Sequence, residues 1–110
     1  MKSNKLVYLA GPITIGNCIH HTHRALMIAE ELIECGFVAF VPQLSIFWEF
    51  LRSHDHDWWL QYDRVILERC DALLRIPGES KGADEEVAFA IEHRIPVYYS
   101  VDELVLKEGN

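Results

Sequence analysis

Apolar residues cluster in four short runs, at positions 6–10, 37–41, 72–76 and 96–99, and between the runs they recur at helical spacing. The first run, Leu6-Val-Tyr-Leu-Ala10, has no polar alternation, as expected of a strand buried on both faces of a parallel sheet, and Gly11-Pro12 stops it. It is the expected central strand. After a loop at 11–17, a helix is expected from about His20 to Cys35, with Ala25, Leu26, Ala29, Leu32 and Ile33 on one face and Glu30, Glu31 and Glu34 off it. Gly36 is its stop signal. A second strand at 37–41 closes on Pro42. Residues 45–53 are unusually aromatic, with Phe47, Trp48 and Phe50, and read as a wall or lid. His54-Asp-His-Asp57 leads into a second helix through Cys70. A third strand at 72–76, a third helix from Gly82 to about His93, a fourth strand at 96–99 and a short final helix at 101–107 complete the pattern.

Strands alternating with helices predict an α/β fold: a three-layer, Rossmann-like (flavodoxin-like) domain with a mainly parallel sheet of four to five strands in the order 2-1-3-4. That order puts the topological switch between strands one and three, where ligands of open α/β sheets bind beyond the carboxyl ends of the strands. Tyr8 and the Gly11 loop are expected on one side of this crevice, and the stretch from Gly78 to Glu86 on the other. The helix before strand three starts at the same end of the sheet. Trp59 and Asp63, four residues apart in it, are expected to point together toward the interior, beside Ile66 and Cys70.

The junction Pro77-Gly-Glu-Ser-Lys-Gly-Ala-Asp-Glu-Glu-Val-Ala-Phe-Ala90 reads as the end of a strand, a turn allowed by Gly78 and Gly82, and a helix start whose unpaired N–H groups suit an anion. Asp84, Glu85 and Glu86 are placed in its first turn. Helix-dipole stabilisation suffices for Asp84 and Glu85. Glu86 leans toward the packed face, with Val87, Ala90 and Ile91, so a dipole role and a functional role both stay open for it.

A chain of 110 residues has room for one core, and a net charge of −7 opposes binding to a nucleic-acid polymer or an anionic membrane. Cys18, Cys35 and Cys70 form no C-x-x-C pair, which suggests neither a disulfide framework nor a thiolate zinc site and fits a cytoplasmic protein. Met1-Lys-Ser-Asn-Lys5 leads straight into a strand, and no apolar run approaches the roughly 18 residues of a membrane span. His20, His21 and His23, and the run His54-Asp-His-Asp57, have no obvious converging partners, so no metal and no cofactor are expected. The aromatic stretch suits core or subunit interface as well as a platform for a flat ligand, and its richness leads to the expectation of a homodimer or larger.

Three pieces of sequence, Val7-Tyr-Leu-Ala-Gly-Pro-Ile13, Asp63 followed by Cys70-Asp71, and Gly82-Ala-Asp-Glu-Glu-Val-Ala-Phe-Ala90, taken in order and spacing, resemble the nucleoside 2-deoxyribosyltransferase superfamily, which includes the 2′-deoxynucleoside 5′-monophosphate N-glycosidases. The resemblance implies a single nucleoside deoxyribosyltransferase-like domain over residues 1–110. It implies that Glu86 attacks the anomeric carbon, Asp63 protonates or orients the leaving base, and Tyr8 positions the nucleophile. Gly11, Pro12, Ile13, Trp59, Gly78, Ser80 and Gly82 are then expected to bind substrate, a small-molecule nucleoside or nucleotide. The implied reaction is cleavage of its N-glycosidic bond by a retaining mechanism, through hydrolysis or base exchange. Helix N–H groups are expected to favour charge on Glu86, and the apolar company of Trp59 and Ile66 to favour neutral Asp63. Ser80 matches the serine that the monophosphate hydrolases use on phosphate, whereas Ile13-Thr-Ile-Gly16 lacks the arginine of their first loop. The superfamily's deoxyribosyltransferases carry a longer C-terminal part than a chain ending at Asn110, which counts against a faithful transferase. The alternative is a non-catalytic nucleotide-sensing domain with the same crevice.

Overall fold

The computed structural model describes residues 5–14 and 16–109, so residues 1–4, Ile15 of the first loop and Asn110, all part of the sequence reading, lie outside it. Strands β1 (Leu6–Ala10), β2 (Val38–Phe40), β3 (Ala72–Arg75) and β4 (Val97–Tyr98) form one all-parallel sheet in the order β2-β1-β3-β4. Helices α1 (Cys18–Glu34), α2 (Ile46–Leu51), α3 (His56–Leu67), α4 (Lys81–Glu92) and α5 (Val101–Glu108) complete the flavodoxin-like arrangement. Among the described residues no helix is long and apolar enough to cross a membrane.

The pleat of β1 divides the core. Val7 and Leu9 face α1 and α5, where they pack with Ala25, Ala29, Leu32 and Leu104. Tyr8 and Ala10 point to the opposite face and pack with Leu67 of α3 and with Ala83 and Ala90 of α4. A tyrosine one position along the strand would have lain under α1, so register alone delivers the Tyr8 side chain to the α3–α4 layer.

Several boundaries differ from the sequence reading, each for a local reason. Helix α1 starts at Cys18, two residues early, because the Asn17 side chain accepts from the N–H groups of Ile19 and His20. Its buried stripe is Thr22, Ala25, Ala29 and Leu32, while Leu26 and Ile33 are about 40% exposed: small residues let the helix lie close to the sheet and the bulky flanks fall outside the contact. The aromatic stretch forms a 3-10 turn (Pro42–Ser45) and the short helix α2, which buries none of its own residues and so left no amphipathic pattern to read. Helix α3 starts under an Asp55 cap and stops at Leu67, three residues before Cys70. Strand β3 ends at Arg75, although the Ile76 N–H still donates to the Ala10 carbonyl at 2.7 Å. Helix α4 begins one residue early, on a Ser80 cap.

Candidate active site

Tyr8, Asp63 and Glu86 meet in the layer between the sheet and the α3–α4 pair. Tyr8 is wholly inaccessible, and Asp63 and Glu86 are each 7% exposed. The Tyr8 hydroxyl donates to Glu86 Oε2 and also interacts with the Asp63 carboxylate, so one phenol addresses both acids. Because α4 is capped by Ser80, Glu86 sits in the second turn and not in the first, beyond the N–H groups left unpaired at the helix start.

That placement corrects the expected charge state. Burial pushes Glu86 up to about 8, against the Tyr8 hydrogen bond, with the Asp63 and Glu85 charges adding to the rise and Arg64 opposing it. Asp63 is pushed by burial up to about 7, again against the Tyr8 hydrogen bond. Burial, reinforced by the Glu86 and Asp63 charges, holds the Tyr8 phenol well above its ordinary value, so it remains a donor. Burial thus raises both carboxyl groups toward neutral pH, and because the two charges oppose each other they titrate as a pair.

Both acids line a cavity of about 680 Å³ that opens at the carboxyl ends of β1 and β3. Gly11, Ile13, Trp59, Ser80 and Gly82 line it as well. Pro12 and Gly78 do not. They pack behind the loop, where Gly78 has a φ of +127° and a Cβ on it would come within 2.7 Å of Pro12 Cγ. The same loop is held from behind by two arginines: Arg24 donates to the Pro77 carbonyl, and Arg75 donates to the Ile76 and Gly78 carbonyls while pairing with Asp84 at 3.0 Å. Ser80 Oγ accepts from the Ala83 N–H at 3.0 Å, and its own proton remains available for a ligand. Gly82 lies within the helix and serves close approach, because a Cβ there would meet His56 Cε1 at 3.2 Å. His56 in turn reaches Glu85 at 3.0 Å, linking the start of α3 to α4.

Of the aromatic candidates for a ligand platform, Trp59 and Phe50 line the cavity, whereas Phe47, Trp48 and Trp58 do not. Trp48, Trp58 and Tyr62 cluster with Trp59, and His54 stacks on Trp58 at 3.5 Å. Glu49, which sequence reasoning passed over, organises this wall. Its carboxylate accepts from Trp59 Nε1 at 2.5 Å and from the His54 N–H at 3.0 Å, and the Trp59 hydrogen bond foremost holds it below its ordinary pKa. Its only signal was a lone acid in an apolar stretch. Glu79, Lys81 and Cys18 also line the cavity, a place that the sequence pattern did not assign to them. Among the described residues no three His, Cys, Asp or Glu side chains converge as a metal site requires.

The family described as Domain of unknown function (DUF4406) matches residues 5–99, which include every residue placed around the cavity, and the chain belongs to that family. No curated protein shows significant similarity to it.

Proposed function

We propose, taking membership of a family whose description leaves its activity open as the premise, that this chain cleaves the N-glycosidic bond of a (deoxy)nucleoside or its 5′-monophosphate, with Glu86 as nucleophile. The observation that carries this reading is the meeting of Asp63 and Glu86 at the wall of one cavity, with the buried Tyr8 hydroxyl behind them addressing both. The resemblance of the chain's motifs to the nucleoside 2-deoxyribosyltransferase superfamily supports it independently.

In this reading ionised Glu86 forms a bond from a carboxylate oxygen to C1′ of the sugar as the C1′–N bond breaks. The departing electron pair goes to the ring nitrogen, and protonated Asp63 supplies a proton to the base. Tyr8, donating to the other side of the Glu86 carboxylate, fixes its orientation and stabilises its charge. Water then attacks C1′, returns the electron pair to Glu86 and gives its proton to Asp63. A second base in place of water would yield exchange.

Burial supports a competing reading, a nucleotide-sensing domain, since it holds Glu86 mostly protonated and unreactive near neutral pH. Chromatography separates the two. The purified protein, offered nucleosides and monophosphates of both sugars, is expected to release free base, and Glu86→Ala is expected to abolish release while circular dichroism stays unchanged. Ligand binding without base release from any substrate would favour the sensor.

A further inference from the structure

The cavity is charged asymmetrically. Glu49, Asp63, Glu79 and Glu86 face it, against Lys81 and the imidazoles of His54 and His56, and His56 is already engaged by Glu85. The two arginines nearest the loop, Arg24, which donates to the Pro77 carbonyl, and Arg75, which donates to the Gly78 carbonyl and to Asp84, are not among the cavity's lining residues. A dianionic phosphate entering this space would meet the Glu49 and Glu79 carboxylates and a buried Asp63–Glu86 pair that resists further negative charge, with Lys81 and no guanidinium fork to offset them.

The α2–α3 side of the cavity offers a complementary feature. Trp59 presents an indole to the cavity with its N–H pinned by the Glu49 carboxylate, which itself lines the cavity. An aromatic face beside a fixed anion is the pairing that recognises a cationic ring, by cation–π attraction and by direct charge.

We propose that the site selects N-ribosides or N-deoxyribosides whose base carries a positive charge, such as N-ribosylpyridiniums or N-alkylated purines, and whose 5′ end is uncharged. This rests on the glycosidase reading. The chemistry of such a substrate balances without an acid in the first step: Glu86 bonds to C1′, the C1′–N pair returns to the ring nitrogen, and the base leaves as a neutral molecule. The Glu86 ester then reacts with water, whose proton goes to an Asp63 that must start ionised. Asp63 therefore serves as acid and base for a neutral base, but as base alone for a cationic one.

The test uses a matched trio: N-ribosylnicotinamide, its 5′-monophosphate, and the neutral C-ribosyl benzamide of the same shape, titrated calorimetrically into the Glu86→Gln protein so that nothing turns over. The cationic nucleoside is expected to bind about tenfold tighter than the neutral isostere and about tenfold tighter than the monophosphate, the size of one uncompensated charge contact at a partly solvated site. Glu49→Gln is expected to narrow the first gap to about threefold or less, with circular dichroism confirming the fold. Equal binding of cation and isostere, or tighter binding of the monophosphate, would overturn the proposal. If none of the three binds, the proposal also falls, while release of base from a neutral purine or pyrimidine nucleoside by the wild-type protein would leave the glycosidase reading standing.

Discussion

The Tyr8 hydroxyl and the Glu86 carboxylate, 78 residues apart in sequence, are joined by a hydrogen bond in the buried layer beneath α3 and α4. Tyr8 reaches that layer by the pleat of β1, and Glu86 by lying six residues beyond its helix cap. A phenol that cannot ionise at neutral pH thus donates to a carboxyl group whose charge burial opposes.

Removing that donor tests its role. Tyr8→Phe is expected to slow base release by about 10–100-fold, the loss of one hydrogen bond to a charged group. It is also expected to raise the apparent pKa on the ascending limb of the pH–rate profile, since Tyr8 opposes the rise of Glu86. An unchanged limb with lower rate would assign Tyr8 to packing.

Stability against pH carries the same signature in the absence of any substrate. Asp63 and Glu86 titrate near 7 and 8 when folded and near 4 when unfolded, so between those values the folded chain binds more protons. Stability is therefore expected to fall as pH rises from about 4 to about 8 and to level off above. Glu86→Gln is expected to flatten this slope and to stabilise the protein by about 1–3 kcal/mol at pH 8, measured by urea unfolding across the range. A stability that climbs through that window would contradict the buried, proton-holding pair.

The sequence reading treated Gly78 and Gly82 as one kind of turn residue, and the structure separates them. Gly78→Ala is expected to cost about 1–3 kcal/mol, from its left-handed backbone and the collision with Pro12. Gly82→Ala gains helix propensity of up to about 1 kcal/mol, and the obstacle is a half-exposed imidazole that can swing aside. Its expected stability change is therefore neutral to favourable, while His56 shifts and the His56–Glu85 contact weakens. Thermal unfolding of the pair of variants checks both signs.

What the chain displays openly in sequence is the sheet, because buried parallel strands are continuous apolar runs whose order follows from their alternation with helices. Tyr8, Asp63 and Glu86 were legible for the same reason: each has a place fixed by strand pleat or helix period. Helix α2 and Glu49 were not, since a six-residue helix that buries none of its residues has no period to detect, and the link from Glu49 to Trp59 depends on where that helix packs. The charge of Glu86 was misread because its burial, which depends on how α4 packs against the rest of the chain, outweighs everything else acting on it, and no local sequence pattern displays that.

Phe47, Phe50 and Leu51 are 62%, 82% and 87% exposed, which puts three large apolar side chains in contact with water on one short helix. Self-association through this face is the expected consequence. Light scattering at micromolar concentration is expected to give at least a dimer mass, and Leu51→Glu to shift it toward the monomer. A monomer of the wild-type chain would leave α2 free as a wall of the cavity alone.

The central claim, that Glu86 bonds to the sugar, is tested most directly by trapping the intermediate. A 2′-fluoro nucleoside destabilises the oxocarbenium-like transition states and slows loss of the sugar from the enzyme. Intact-mass spectrometry after brief incubation is expected to show one added fluorosugar, with peptide mapping placing it on Glu86 and Glu86→Gln abolishing it. Base release with no sugar on the protein, or with the sugar on another residue, would contradict the assignment.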